Sequence, residues 1–191
     1  MEKQIRNRLD YFRSIDDSGL QNFLEQVLVP NFNGSVVDAR DLLEDGYESQ
    51  LSSGFWILSP SDFGLHNSIT TSTNDIIFFD FEYFGWDDPV KVTADFCLHP
   101  AMKLDLSSQK YWVSEMKTLF AHDVKFELRL KALAPLYAIR WALIVLNEFR
   151  SDKLKNRLHA QSTIQLDIRK KQVEQLEKAK LMITNLDRSV F

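Results

Sequence analysis

The chain has 191 residues, 45% apolar and 26% charged, which is the balance of a globular protein with about one domain's worth of core. Its net charge of −4 argues against a nucleic-acid partner, and its single cysteine, Cys97, leaves no disulfide framework and no cysteine-built metal centre. Met1 to Arg13 is charged throughout, unlike a secretory leader. No apolar run approaches the roughly 20 residues of a membrane span, so a cytoplasmic protein without a membrane partner is expected.

In chain order, Asp17 or Ser18 is placed to cap a helix running to about Leu28. Its Leu20, Phe23, Leu24, Val27 and Leu28 recur at the spacing of one helical face. Pro30 is expected to stop that helix and residues 31–34 to form a loop. Ser35 is expected to cap a second helix carrying Val37, Leu42 and Leu43 and ending near Gly46. Residues 54–58 read as a short strand and 71–75 as a polar turn. Residues 76–81 read as a continuous β-prone strand paired with a short one at 68–71. Beyond Pro100 the pattern is helical. One helix starts at Ser107 or Ser108 and holds Trp112, Met116, Leu119 and Phe120. A second spans 123–133, and a third, strongly apolar and central, begins at Pro135. Asp152 is expected to cap a last helix with Leu154, Leu158, Leu176, Leu181 and Leu186 on its apolar side. Charge is uneven: residues 1–150 hold 14 Lys and Arg against 22 Asp and Glu, residues 151–191 hold 9 against 5, and the basic end reads as a solvated helix face.

Chemistry concentrates in residues 59–89, SPSDFGLHNSITTSTNDIIFFDFEYFGWDDP. Asp62 and Asn67 stand in the pattern D-x-x-x-x-N, and Asp80 follows the apolar run IIFF, 18 residues after Asp62. Phosphoryl transfer from a nucleotide needs this order of parts. One carboxylate orients the attacking hydroxyl and accepts its proton, and an amide oxygen with a second carboxylate holds Mg²⁺ on the phosphates.

On these residues the chain resembles the aminoglycoside phosphotransferase and choline kinase family, whose fold is that of a protein kinase. The family's catalytic loop reads roughly H-G-D-x-x-x-x-N and its metal strand I-D-F/W-E. The counterparts here are Pro60-Ser61-Asp62-Phe63-Gly64-Leu65-His66-Asn67 and Phe79-Asp80-Phe81-Glu82, followed by GWDDP and by Asp95 and Phe96. The resemblance implies an α+β, predominantly helical fold: the C-terminal lobe alone, with short β-hairpins carrying the catalytic and metal loops. It implies Asp62 as the catalytic base and Asn67 and Asp80 as Mg²⁺ ligands, supported by Glu82, Asp95 and His66. It also implies ATP or GTP as donor and a hydroxyl of a small molecule as acceptor. Pro60 departs from the family pattern, which has His at that place, a difference of loop geometry more than of chemistry.

Residues 1–191 are expected to form a single domain without the family's N-terminal nucleotide-clamping lobe. No G-x-G-x-x-G occurs, and Lys3 is the only lysine before Lys91. The chain is therefore expected to be inactive alone and to self-associate or to need a separately supplied lobe. An apolar surface with Phe63, Leu65 and Phe84 near it would face that lobe. The alternative is a non-catalytic remnant or binding module. His66 and His99 invite a zinc reading, which no H-x-x-x-H and no cysteine supports. Trp86 reads as packed, with an acceptor pocket as the other option.

Overall fold

The computed structural model describes residues 1–150 and 164–191, with side chains in the second stretch described from Ile168 onward. The described chain is mostly helical (66%) with a few short antiparallel strands. It groups into two compact units, one of residues 1–37 and 138–186, the other of residues 38–137 and 187–191.

The first unit is all-helical. Helix α1 (Glu2–Arg13) buries Ile5, Leu9 and Phe12. Their spacing of four and three is an apolar stripe hidden among charges, which is why the segment reads as merely charged. Asp17 caps α2 (Ser18–Phe23), its carboxylate accepting from the Leu20 amide at 2.9 Å, as its position forecasts. The chain then runs without a break through a π-helical turn (Leu24–Leu28) into α3 (Val29–Leu43). Pro30 does not stop the helix, and residues 31–34 are helical rather than a loop. The π turn accounts for this. The Val29 amide bonds back five residues to Leu24, widening the coil just where the proline ring would otherwise meet the preceding turn. The Asn31 side-chain amide donates to the Val27 carbonyl at 2.8 Å. Ser35, expected as a cap, lies buried inside α3. Residues 138–145 end a long helix described below. Helix α7 (Ile164–Thr184) turns Ala179 and Ile183 into the core, whereas Leu181, expected on the apolar side, is 46% exposed. The expected cap Asp152 and the residues Leu154 and Leu158 lie outside the described residues.

The second unit carries two two-stranded antiparallel ribbons. Strand β1 (Ile57–Ser59) pairs with β4 (Gly85–Asp87), and β2 (Ser68–Thr70) pairs with β3 (Ile76–Phe78). The expected strand at 54–58 is displaced: residues Ser53–Phe55 form a 3-10 turn. The expected strand at 76–81 is cut short after Phe78, because Asp80 takes a left-handed backbone (φ 64°). The polar turn at 71–75 forms as read. The Thr71 hydroxyl accepts the amides of Thr73 and Asp75, and Asn74 supplies the positive φ of 64°. Helix α4 (Pro89–Leu98) starts with Asp88 as cap and Pro89 in its first turn, and α5 (Leu106–Leu119) starts with Asp105 as cap.

Helix α6 (Phe126–Val145) merges the two helices expected around Pro135, which sits inside it. An internal proline costs about 3 kcal/mol. Leu130, Ala134, Leu136 and Ala138 beside it are essentially fully buried, and burying each leucine recovers about 1.5–3 kcal/mol. Together with the turn after it, Phe126–Phe149 is long and apolar enough to cross a membrane by length and composition; 72% of its most apolar window is buried inside the protein, as in a core helix.

Cys97 lies in α4 among apolar neighbours, and burial pushes its thiol up to about 12. The thiolate is the reactive form. Native protein at pH 8 is therefore expected to resist an aromatic disulfide reagent, with Cys97 reacting fully only in denaturant. Rapid labelling of the native chain would show that α4 opens readily.

Candidate functional site

Asp62 sits in the loop between β1 and β2, and four hydrogen bonds and the packing of Phe63 set that loop's shape. The Asp62 amide bonds the Pro60 carbonyl at 2.8 Å, a tight turn. Ser61 adopts φ 65°, a left-handed backbone that costs a non-glycine residue about 1–2 kcal/mol. It is held there by the Ser59 hydroxyl, which accepts its amide at 3.0 Å, and by Lys91, whose ammonium donates to its hydroxyl at 2.8 Å. The Asn67 side-chain amide donates back to the Asp62 carbonyl at 2.9 Å. Phe63 enters a ring stack with Phe78 (4.7 Å) and Phe96 (5.8 Å), and Phe96 stacks on Trp112 at 3.9 Å. Phe63, half-buried, thus anchors the loop through its ring contacts.

Gly64 is required by close approach. A Cβ there would lie 2.7 Å from both His66 Nδ1 and Met102 Sδ, and that sulfur already accepts the Leu65 amide.

The Asp62 carboxylate keeps 39% of its side chain exposed and meets two histidines. His66 Nε2 is 3.1 Å from Oδ1, and His99 Nε2 is 3.7 Å from the same oxygen, too long for a hydrogen bond. The rings lie parallel, 3.8 Å apart. Partners assign the tautomers. The Ala101 amide donates to His99 Nδ1 at 3.2 Å, so the proton of neutral His99 is on Nε2. His66 Nδ1 is buried without a hydrogen-bond partner among the described residues, and a bare lone pair there costs less than a bare N–H, so its proton is also on Nε2. Both imidazoles thus aim N–H groups at Asp62.

The ligand atoms of Asp62, His66 and His99 lie within 4.8 Å of one another, yet the set does not fit a zinc centre. Coordination through His99 Nε2 would drive a proton onto Nδ1, against the Ala101 amide. A ligating histidine normally donates from its far nitrogen, and here His66 Nδ1 meets no acceptor among the described residues. Stacked rings also send their lone pairs side by side rather than to one point. What the set does is orient a carboxylate.

The ribbon β2–β3 brings the other predicted residues to this loop. The Phe79 amide donates to the Asn67 carbonyl at 3.0 Å, one step beyond the Ser68–Phe78 pair, and Asp80 comes next. Asp80 and Glu82 are exposed. Tyr83 reports the local field. Its phenol pKa is raised first by a hydrogen bond to Glu82 and by that residue's charge, then by Asp80 and Asp62. Asp80 thus follows directly on the strand end bonded to Asn67 of the Asp62 loop. The Asn67 side-chain nitrogen is tied to the loop backbone, which leaves its amide oxygen as the atom free to accept. An amide oxygen and a carboxylate are the hard donors Mg²⁺ takes, so this pair fits the ion that the resemblance implies.

Two supports lie further along. Asp95, 5% exposed on α4, stands 3.9 Å from Lys91 Nζ, and Lys91 also binds Asp87 at 2.8 Å. Asp95 thus reaches the Asp62 loop through Lys91 and Ser61. Sequence reasoning missed Lys91, although its spacing of four from both Asp87 and Asp95 was a usable signal. It also missed Arg129, which pairs with Asp123 at 2.8 Å and with Asp88 at 3.1 Å, and nothing local in the sequence marks those pairs. A groove of about 620 Å³, lined by Leu42, Tyr47, Phe55, Leu128, Asp88 and Arg129 among others, contains none of Asp62, Asn67 and Asp80.

Comparison of the chain with protein-family models, with curated proteins and with solved structures finds no match.

Proposed function

We propose that the rim formed by Asp62, Asn67 and Asp80 is the phosphoryl-transfer site of a kinase-like lobe. The acceptor is a hydroxyl of a small molecule and the donor ATP or GTP with Mg²⁺. This reading is supported by the Asn67 amide tied to the Asp62 loop and by the Phe79–Asn67 backbone bond, one residue before the second carboxylate, Asp80. Asp62 positions the hydroxyl and takes its proton through the oxygen that the histidines leave open. Asn67 and Asp80 would hold the metal, which would neutralise phosphate charge. Glu82 lies in the same acidic field, and Asp95 stiffens the loop through Lys91. The resemblance to the aminoglycoside phosphotransferase and choline kinase family points the same way.

Residues 1–191 contain no glycine-rich phosphate cradle, and positioning supplies most of the catalysis in phosphoryl transfer. The isolated chain is therefore expected to turn over little, whether a separate lobe or self-association completes it. The test is binding, not turnover. Mn²⁺ standing in for Mg²⁺ should bind weakly alone and more tightly with ATP. It should broaden the Asn67 and Asp80 resonances first, and Asp80→Ala should abolish the coupling between metal and nucleotide. Absence of any coupling would favour the second reading, a remnant that keeps the lobe as a binding module and uses the separate groove near Asp88.

A further inference from the structure

The most unusual surface among the described residues lies on the two ribbons. Half of the exposed large apolar side chains among the described residues fall within residues 56–86. In β2–β3, the face bearing Phe78 packs on Phe63. The opposite face carries the cross-strand pair Ile69 and Ile77, 55% and 50% exposed, and Phe79 continues the row at 45%. In β1–β4 the cross-strand pair Leu58 and Trp86 is likewise bare, at 52% and 66%, so Trp86 is not the packed residue its sequence context suggests. Strands that are apolar on both faces belong to sheets covered on both faces, and here one face is open.

Among the described residues both sheets have two strands, so every strand keeps one edge without a strand partner there. Such ribbons are marginal by themselves. The eleven exposed side chains from Trp56 to Trp86 leave on the order of 1,000 Å² of apolar surface, counting about half of each large side chain. Ile76 stands on the Phe78 face, so only part of this area faces one side, against the roughly 800 Å² per partner of a standard interface.

Charge selects the occupant. Between Arg40 and Lys91 the chain has ten Asp and Glu and no Lys or Arg. Lys91 is engaged with Ser61 and Asp87, and Arg40 with Glu48. A second copy laid face to face would set Asp75, Asp80 and Glu82 against their own images. We infer that this surface docks a second polypeptide through an extended segment that alternates apolar residues with Lys or Arg and adds a strand to the open edge of β2–β3. Main-chain hydrogen bonds would give such a contact its affinity, and the row of Ile69 and Ile77 its specificity.

The experiment measures fluorescence anisotropy of two labelled peptides with the purified chain, one of alternating Lys and Val and the other of alternating Glu and Val. The Lys peptide should bind saturably and weaken with salt, and the Glu peptide should not bind. Ile77→Asp, on an exposed site that folding does not need, removes apolar contact while adding negative charge. It should weaken the Lys peptide by about tenfold or more, with an unchanged melting curve as control. Binding that is equal or stronger in Ile77→Asp would reduce the effect to bulk charge attraction and overturn the proposal, as would no saturable binding. A concentration-dependent dimer in sedimentation, lost in Ile77→Asp, would assign the face to a second copy and overturn it too.

Discussion

Asp62→Asn is expected to lower phosphoryl transfer from MgATP by about 10²–10⁴-fold, the range for loss of a general base, in any assembly of this chain that phosphorylates an alcohol. The replacement is close to isosteric. Its side-chain oxygen can still accept from His66 at the present 3.1 Å, and the backbone carbonyl that holds the Asn67 amide is untouched. The loop should therefore keep its shape, and what disappears is the negative charge and the proton acceptor. Nucleotide affinity depends on other groups and should stay the same. Steady-state kinetics with parallel nucleotide binding would separate the two effects. Unchanged turnover would place the base elsewhere, and equal losses of turnover and affinity would point to collapse of the loop.

The second large effect is structural. Arg129→Ala should destabilise the fold by about 3–5 kcal/mol, the cost of stripping one partner from a buried ion pair. The guanidinium is 13% exposed, Asp123 4% and Asp88 25%. The two carboxylates raise the Arg129 pKa against the burial that lowers it. Removing the arginine leaves Asp123 charged and nearly sealed from water. Asp88 would also lose its tether, and Asp88 caps α4 through the Val90 amide at 2.9 Å. Urea unfolding monitored by circular dichroism would measure the change. In Arg129→Ala/Asp123→Ala the loss should be smaller than the sum of the single changes, since neither charge is then left alone. A single-mutant loss below about 1 kcal/mol, the scale of surface pairs, would mean that water reaches the triad.

Several elements were legible because their causes are local. The 71–75 turn follows from its hydroxyls, carboxylate and Asn74, and the start of α2 follows from Asp17. The order of Asp62, Asn67 and Asp80, and the strand partners flanking the turn between them, could likewise be read from spacing. Local rules failed at Pro30 and Pro135. Each proline forbids one hydrogen bond, and the helix continues because a π turn in one case and deep burial of the flanking residues in the other outweigh that loss. Tertiary structure alone decided the rest. It set His99 beside His66 across 33 positions of sequence, and it joined Asp95 to the loop through Lys91 and Arg129 to Asp88. It also left Ile69 and Ile77 in solvent. Sequence spacing cannot report these, because a side chain's distant partners, or its lack of cover, depend on where the chain returns in space.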